Sequence, residues 1–343
     1  MTVVVTGGAG FIGRHLVRRL VANRAAFGAA GAPVVALDNL HRSTPTALAD
    51  AIEAGDVRLY EGDVRDAGTL EQAMRGAEYV FHLAAQSNVM GAEDDPDYAF
   101  TTNVVGTQRV VQAALAAGAR RLVFTSSREV YGQPQSLPVH ESAPLAPKNA
   151  YGASKAAGEM SCRVAAARGG LEVVALRLAN VYGPGDSGRV IPLWLERAAR
   201  GEDLHIFGGK QVIDFLWVDD AVSALVRAAL LPRADVSVAG LVSADDRDPG
   251  FFVTMNVGTG QGTPITLLAE RVREAVGNSI GIQLQPARAA EVERFVADVS
   301  RMRTTLRVNP TAPLAHLPLL ARQTVLRLAG EALSEAAAHA RLA

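Results

Sequence analysis

The sequence predicts an α/β protein with a doubly wound parallel sheet and a smaller mixed α/β region after it. Two observations predict this class. In the first 180 residues, short runs rich in β-branched residues alternate with longer Ala- and Leu-rich stretches of helical period. After residue 180 the alternation weakens, and the turn cluster Tyr182-Gly183-Pro184-Gly185 marks the change. Strands separated by helices imply right-handed crossovers and a sheet that is covered on both faces.

The elements follow in a regular order along the chain. Strands are predicted at 3–6, 34–37, 57–61, 79–83, 121–126 and 172–178. Helices are predicted at about 12–23, 67–75, 101–117, 150–168 and 190–200. The apolar helix 219–230 and the strand 251–257 are expected to return to the large sheet, with an exposed loop over 232–250 between them. The chain is expected to end with a helix near 264–276, a strand near 295–298 and a helix near 318–341.

Composition excludes several classes of protein. Thirty-four Lys and Arg balance thirty-five Asp and Glu, so the formal charge of −1 creates no field that attracts nucleic acid. The one cysteine, Cys162, allows neither an internal disulfide nor a Cys-based zinc cage, and it fits a reducing cytoplasm. The seven histidines include no i, i+4 pair, so no metal site is predicted. Apolar runs stop short of the roughly 18 residues that a membrane span needs, so no membrane segment is expected.

Three glycines follow the first predicted strand and open the first helix. Gly7, Gly10 and Gly13 provide a tight turn, a backbone that approaches a ligand without a Cβ, and close packing of helix on strand. A dinucleotide diphosphate needs all three at a helix N-terminus. Asp38 ends the second predicted strand, where a carboxylate accepts both ribose hydroxyls and repels a 2′-phosphate. The sequence therefore predicts an NAD site in a Rossmann-type domain.

A tyrosine and a lysine share one face of the predicted helix 150–168. Tyr151 and Lys155 are four residues apart at its start. A phenol with a pKa near 10 is a poor base at pH 7, but a neighbouring ammonium, a helix N-terminus and an oxidised nicotinamide all favour the phenolate. Thr125, Ser126 and Ser127 end the fifth predicted strand and bring hydroxyls to the same edge of the sheet. Tyr151 is therefore predicted to accept a proton during catalysis.

These motifs together resemble the extended short-chain dehydrogenase/reductase family of NAD-dependent nucleotide-sugar epimerases and dehydratases. The similarity runs in family order up to about residue 310. The matching segments are 6–13, 38–40, 62–64, 82–85, Asn103, 126–132, 151–155, 177–184 and 214–220. The resemblance implies an NAD-binding domain over 1–180, to which 218–257 return, and a nucleotide-sugar domain over 181–217 and 258–343.

The resemblance also implies roles for particular residues. The catalytic triad would be Ser127, Tyr151 and Lys155. Besides Tyr151 and Lys155, the residues expected at the cofactor are Gly7, Gly10, Phe11, Ile12, Gly13, Asp38, Asn39, Asp63, Val64, Leu83, Ala84, Ala85 and Asn103. The residues expected at the substrate are Ser127, Arg128, Glu129, Asn180, Val190, Ile191, Gln211 and Arg288.

The leading hypothesis is a nucleotide-sugar 4-epimerase that acts on a UDP-hexose or UDP-hexuronate through a transient 4-keto sugar. Two departures from the family pattern bear on it. Ile213 stands where most members have an arginine for the nucleotide diphosphate, and Arg128 replaces the first acid of the pair that 4,6-dehydratases use. An arginine is not a general acid at neutral pH, which disfavours dehydration.

Three alternatives stay open at this stage. Glu129 is compatible with a UDP-glucuronate decarboxylase, and a 4,6-dehydratase belongs to the same family. A non-catalytic NAD-binding protein is a more remote alternative. The Ala- and Val-rich helices 101–117 and 150–168 predict a homodimer, because the family commonly pairs these two helices across a dyad.

Overall fold

The structure, a computed structural model, describes residues 1–233, 235, 250–277, 279–287 and 292–342. Its strands are β1 Thr2–Thr6, β2 Val34–Asp38, β3 Val57–Glu61, β4 Ala77–His82, β5 Arg121–Ser127, β6 Glu172–Leu178, β7 Asn180–Tyr182, β8 Leu204–Phe207, β9 Val212–Trp217, β10 Phe252–Val257, β11 Gly262–Pro264, β12 Ile282–Gln285 and β13 Arg294–Phe295. Its α-helices are α1 Phe11–Ala22, α2 Ala49–Glu53, α3 Ala67–Ala73, α4 Val89–Asp94, α5 Pro96–Phe100, α6 Thr107–Ala116, α7 Ala150–Ala167, α8 Val190–Ala199, α9 Val218–Leu230, α10 Ile265–Val276 and α11 Leu317–Leu342.

Seven parallel strands form the main sheet, in the order β10-β6-β5-β4-β1-β2-β3. The chain winds outwards in one direction from β1 through β2 and β3, and in the other from β4 onwards. The strand order therefore reverses between β1 and β4, where an open α/β sheet leaves a crevice for a ligand. This is the Rossmann-type, doubly wound sheet that the sequence predicts, and β10 returns to it as expected.

Two apolar cores cover the two faces of this sheet. Successive side chains of a strand point to opposite faces. Val3 and Val5 accordingly join one core with residues of α1 and α9, whereas Val4 joins the other with residues of α3, α6 and α7. Packing on both faces fixes the register of β1, so the loop that follows it has a defined place.

Smaller sheets follow the main one. Strand β9 pairs with β11, β13 and β7, and β12 pairs with β8. The strand predicted at 295–298 is shorter, because pairing with β9 covers only Arg294 and Phe295, and Ala297 bridges to Val139 instead. The loop predicted at 232–250 lies almost wholly outside the described residues. The division into two domains stays a prediction.

The helix predicted over 101–117 begins with a π-helical turn, Thr101–Gly106, and becomes α-helical at α6. The turn passes close to Val64, because a Cβ on Gly106 would lie 2.7 Å from the Val64 Cγ2 atom. A π turn of this kind is not visible in the apolar period of a sequence. No helix among the described residues is long and apolar enough to cross a lipid bilayer.

One histidine is buried at the end of β4, and its ring nitrogens both have partners. The Thr107 hydroxyl donates to the carbonyl of Asn103, so His82 Nε2 donates to Thr107 at 2.9 Å. His82 Nδ1 then accepts from the Thr6 hydroxyl at 2.7 Å. Burial, helped by the charge of Lys155, lowers the pKa of His82 to about 3. His82 is therefore a neutral core residue, as its place in a buried strand indicates.

We expect His82 to make the fold acid-sensitive. Its pKa rises from about 3 to about 6.5 on unfolding, so the unfolded chain binds the extra proton as the pH falls through this window. The free energy of unfolding should drop by about 2 kcal/mol between pH 7 and pH 5 on this account. Urea unfolding at the two pH values measures it. His82→Gln should remove most of the drop, and His140→Gln, at a ring that is 52% exposed, should not.

Candidate active site

A cleft of about 820 Å³ opens at the carboxyl ends of the main-sheet strands. Its walls come from the loops after β1, β2 and β4, from the start of α7, and from the segment between β7 and α8. The volume lies in the upper part of the usual range for ligand pockets. The cleft thus occupies the place where sheets of this topology bind ligands.

The glycine loop after β1 forms the floor of the cleft. Gly7 has a φ of +70°, and its amide donates to the carbonyl of Leu37 at 2.7 Å. A Cβ on Gly7 would lie 2.7 Å from the Ala84 nitrogen, and a Cβ on Gly13 would lie 2.0 Å from the Gly7 oxygen. Gly10 caps the N-terminus of α1. The loop is a cradle of bare backbone at a helix N-terminus, which is the arrangement that a dinucleotide diphosphate needs. Phe11 and Ile12 line the cleft beside it.

Asp38 joins the cradle to β2. One carboxylate oxygen accepts from the amide of Leu40 at 3.0 Å and the hydroxyl of Ser43 at 2.9 Å, and the other accepts from the amide of Ala9 at 2.9 Å. A carboxylate has about four acceptor sites, so one remains for a ligand hydroxyl. Asp38 lines the cleft at the place predicted for the ribose.

The next wall contains most of the remaining residues predicted at the cofactor. Those that line the cleft are Asn39, Val64, Leu83, Ala84 and Ala85. Asp63 is not among the lining residues, because its carboxylate is held by Arg65 at 2.8 and 2.9 Å. Hydrogen bonding to Arg65 lowers the pKa of Asp63 to about 2. Asn103 is also absent from the wall. It lies in the π turn, is 1% exposed, and bonds to the backbone of Gln86 and to the Ser154 hydroxyl.

The three residues of the predicted triad meet in one part of the cleft. The phenol of Tyr151 hydrogen-bonds to Ser127. Lys155 lies one helical turn further along α7, but its ammonium donates to the carbonyl of Thr125 at 2.8 Å rather than to the phenol. Asn149 caps the helix by accepting from the amide of Gly152 at 2.8 Å, so Tyr151 lies in the first turn of α7.

Burial decides the protonation of this group in the chain alone. It raises the pKa of Tyr151, although the Ser127 hydrogen bond and the charges of Arg189 and Arg128 oppose the rise. Burial also lowers the pKa of Lys155 to about 8. The sequence predicts a phenolate that its neighbours favour, whereas the protein by itself holds Tyr151 as a phenol. A phenolate therefore needs a further positive charge in the cleft.

Next to Ser127, a cation and a carboxylate form a buried pair. Arg128 Nη2 lies 2.7 Å from Glu129 Oε1, and their side chains are 12% and 6% exposed. Asn149 Nδ2 donates to the other oxygen of Glu129 at 2.8 Å. Arg128 Nε donates to Asn180 Oδ1 at 2.6 Å, and its guanidinium lies 5.7 Å above the ring of Phe295. Both charges at this end of the cleft therefore have partners.

The other residues predicted at the substrate divide into three groups. Asn180, Val190 and Gln211 line the cleft, as does Ile213, the residue that replaces the usual arginine. Ile191 does not line it. Because the neighbours Val190 and Ile191 lie on different faces of α8, Ile191 is 2% exposed and packs in the core. Arg288 lies outside the described residues.

Sequence reasoning missed a cluster of charges that lines the cleft beside Phe11. Arg189 Nη1 lies 2.7 Å from Asp186, and its guanidinium lies 5.6 Å above the ring of Phe11. Burial raises the pKa of Asp186, and the charges of Arg189 and Arg42 oppose that rise. Gln86 also lines the cleft, and its position directly after the motif 82–85 could have predicted this. No motif lies next to Arg189 in the sequence, because this residue belongs to an irregular segment.

The cradle fits NAD on its own geometry, since a Cβ at Gly7 or Gly13 would fill it. The residues present also offer a carboxylate for the ribose at Asp38. Among the described residues, no group of three or more His, Cys, Asp or Glu side chains is arranged to hold a metal ion.

Comparison with known proteins identifies the class. Residues 3–239 match the model of the NAD dependent epimerase/dehydratase family, and the chain belongs to that family. It is therefore an NAD-dependent enzyme of the extended short-chain dehydrogenase/reductase class, and the predictions of an enzyme and of an NAD cofactor are confirmed.

The chain is also similar to individual enzymes of this family. The UDP-glucose 4-epimerase of Mycolicibacterium smegmatis is 35% identical over 326 residues, which cover 92% of this chain and 96% of the relative. The crystal structure of a Thermotoga maritima UDP-glucose 4-epimerase with UDP-glucose is 29% identical, with a TM-score of 0.82 over 96% of this chain and 99% of that chain. A dTDP-glucose 4,6-dehydratase from Streptomyces venezuelae, solved with NAD bound, is 30% identical, with a TM-score of 0.81 over 94% of this chain and 97% of that chain.

Proposed function

We propose that this enzyme inverts C4 of a UDP-hexose through a transient 4-keto sugar. The observation that carries the proposal is the pairing of Glu129 with Arg128 beside a complete Ser127, Tyr151 and Lys155 group. This arrangement supplies proton transfer at one sugar oxygen and offers no second proton donor next to it.

The chemistry of the alternatives shows why the pair matters. Loss of water across C5 and C6 needs an acid that protonates the leaving hydroxyl. A guanidinium such as that of Arg128 donates hydrogen bonds but is not a general acid at neutral pH. Both oxygens of Glu129 already accept bonds from Arg128 and Asn149. The pair is also neutral as a whole, so it does not attract the carboxylate of a uronate. These contacts favour the epimerisation of an uncharged hexose over the dehydration of a hexose and over the decarboxylation of a uronate.

The residues of the triad have separate tasks in the proposed reaction. The Tyr151 phenolate takes the proton of the 4-hydroxyl, and the Ser127 hydroxyl donates a hydrogen bond to the same oxygen. Lys155 keeps a positive charge beneath Tyr151, which favours the phenolate. With the C4 hydride also removed, the sugar is a 4-ketone and turns in the cleft. When the hydride returns to the other face of C4, Tyr151 returns the proton to the oxygen and the inverted alcohol is formed.

The cradle and its neighbours would hold the cofactor. The backbone from Gly7 to Gly13 would bind the diphosphate, and the remaining acceptor site of Asp38 would take one ribose hydroxyl. Bound NAD would supply the hydride acceptor for the oxidation of C4, the hydride donor for its reduction once the cofactor is reduced and, in its oxidised form, a positive charge. That charge is what the buried phenol of Tyr151 lacks in the chain alone.

The nucleotide sugar would occupy the part of the cleft that Asn180, Val190 and Gln211 line. The choice of UDP-glucose or UDP-galactose is supported by the relatives, among them UDP-glucose 4-epimerases at 29–35% identity. Arg288 stays a prediction as a phosphate ligand.

A panel of nucleotide sugars tests the proposed reaction. The purified protein is incubated with UDP-glucose, UDP-glucuronate and dTDP-glucose, without added NAD, and the products are followed by proton NMR. We expect UDP-galactose from UDP-glucose, and no carbon dioxide or 4-keto-6-deoxy sugar from the others. A pentose or a 4-keto-6-deoxy product would overturn the proposal and make Glu129 the central residue.

We also propose that the enzyme is a homodimer. An apolar surface on α5, the π turn and α7 supports this, because Phe100, Val105, Met160 and Val164 are 36–57% exposed there. Replacing both Met160 and Val164 by Glu should give a monomer in sedimentation at micromolar concentration. Leu267→Glu, at a side chain on α10 that is 44% exposed, should leave the dimer intact. A wild-type protein that sediments as a monomer would contradict the proposal.

We also propose that the enzyme is located in the cytoplasm. It is supported by Cys162, a free and fully buried thiol that forms no disulfide. Fractionation of cells that express the protein tests it.

A further inference from the structure

The last three residues of β5 each bond to α7. The Thr125 carbonyl accepts from Lys155 at 2.8 Å, the Ser126 hydroxyl donates to Glu159, and Ser127 bonds to Tyr151. The α7 partners are spaced four residues apart, so they lie on one face of the helix. Two of these three bonds hold the triad, and the third, between Ser126 and Glu159, has no part in the reaction described above.

Glu159 is a fully buried carboxylate one helical turn beyond Lys155. It is 0% exposed, and Arg177 from β6 binds it through Nη2 at 2.7 Å and Nε at 3.0 Å. The bonds from Arg177 and Ser126 fix this carboxylate in place. Its position is therefore set by β6 and β5 together.

A wider network holds Arg177 in turn. Its Nη1 donates to the hydroxyl of Tyr131 at 2.9 Å and to the carbonyl of Glu141 at 3.0 Å. Tyr131 donates to Asn256 Oδ1 at 2.6 Å, and the amide of Asn256 donates to Glu141 at 2.9 Å. Strands β5, β6 and β10 are thus joined by hydrogen bonds behind the cleft, and Glu159 connects them to α7.

We propose that Ser126 and Glu159 are positioning residues, which fix α7 against the end of β5 and place a permanent negative charge next to Lys155. The bond between Ser126 and Glu159 sets the distance from Ser127 to Tyr151. Ser127 is the neighbour of Ser126 in β5, and Tyr151 lies on the same face of α7 as Glu159. The charge of Glu159 opposes the loss of the Lys155 proton. This inference rests on the proposed roles of Tyr151 and Lys155.

The groups that face Lys155 identify Glu159 as the relevant charge. His82 from β4 is neutral, and the ring of Phe124 from β5 lies 5.1 Å from the ammonium. Cys162 on α7 is buried, which raises the pKa of its thiol and keeps it uncharged at neutral pH. Tyr151 is held as a phenol in the chain alone. Of these groups Glu159 is the one that carries a negative charge.

The protonation of Lys155 gives a readout that does not depend on the reaction. The pKa of Lys155 is about 8 in the chain, and the ¹³Cε signal of labelled lysine follows it by NMR. Glu159→Gln should move the midpoint down by about one pH unit, because the charge is lost while the shape is kept. Glu159→Asp keeps the charge and should restore a midpoint near 8. An unchanged midpoint in Glu159→Gln would overturn the proposed role of the charge.

Ser126→Ala tests the positioning role with a smaller change. It leaves Glu159 bound to Arg177, so the variant should fold even where Glu159→Gln leaves Arg177 unpaired and fails to fold. We expect kcat to fall roughly tenfold with KM unchanged, because the reacting groups are displaced and substrate binding is not. A lower melting temperature with wild-type kcat would overturn the proposal.

Failure of this proposal is distinct from failure of the proposed function. If Tyr151→Phe were fully active, the roles of the triad would be wrong, while the Lys155 titration would still report on Glu159. If Tyr151→Phe is inactive and Ser126→Ala has wild-type kcat, the triad stands and the positioning role is wrong.

Discussion

Replacing Tyr151 by Phe should lower kcat by roughly 10²–10⁴-fold and leave bound NAD in the protein. The variant keeps the ring that fills the wall of the cleft and loses only the hydroxyl that bonds to Ser127. Proton transfer to and from the sugar oxygen then has no acceptor, because the Lys155 ammonium is turned to the Thr125 carbonyl. The measurement is the rate of UDP-galactose formation, together with the NAD content of the purified variant.

A matched control is available on β4. Tyr79 is also buried and its hydroxyl accepts from Arg120 at 3.2 Å, at the opposite end of the strand from the cleft. Tyr79→Phe should have wild-type kcat. A Tyr151→Phe protein with the activity of the Tyr79→Phe control would show that another group transfers the proton.

Replacing Gly13 by Ala should release NAD. The new Cβ would lie 2.0 Å from the Gly7 oxygen. This oxygen is a backbone atom of the cradle and cannot swing aside as a side chain could, so the loop and α1 must move apart. Overpacking of this kind costs about 1–3 kcal/mol, which corresponds to roughly 5- to 150-fold weaker binding. NAD released by denaturing the purified variant, measured per mole of protein, gives the result.

Gly68→Ala controls for the loss of a glycine in itself. Gly68 is in the first turn of α3, and its Cβ would come no closer than 3.5 Å to a neighbour, the Asp66 carboxylate. This variant should keep its NAD. If Gly13→Ala retained as much NAD as Gly68→Ala, the cradle would not be the diphosphate site.

The sequence predicted the main sheet well because most of its strands are buried on both faces and are therefore rich in apolar residues. The strands 57–61 and 172–178 are found at the predicted residues, and the other strands of the main sheet differ by one or two residues at their ends. Gly7 and Gly13 were predicted at the cradle because neither position admits a side chain. Gly7 has a φ of +70°, and a Cβ on Gly13 would lie 2.0 Å from the Gly7 oxygen. Constraints of this kind determine the residue type at a single position, so they can be recognised in the sequence.

Other features of the site depend on side-chain contacts and backbone geometry that the motifs do not reveal. Asp63 follows β3 by two residues, but the orientation of its carboxylate is decided by Arg65, and Asn103 is placed by a π turn. The pairing of Arg128 with Glu129 could be foreseen only as two charges next to Ser127, since Asn149 and Asn180 hold it from other elements. Arg189 was missed because an irregular segment brings it to the cleft.

The central claim is that the sugar is inverted at C4 by oxidation and reduction at the same carbon, and an isotope at that carbon tests it most directly. UDP-glucose with deuterium on C4 is incubated with the enzyme in ordinary water, and both epimers are examined by NMR at equilibrium. The account predicts UDP-galactose with deuterium retained at C4, because the hydrogen leaves and returns inside a cleft without exchanging with solvent. Loss of the deuterium to water, or unchanged UDP-glucose as the only sugar present, would contradict it.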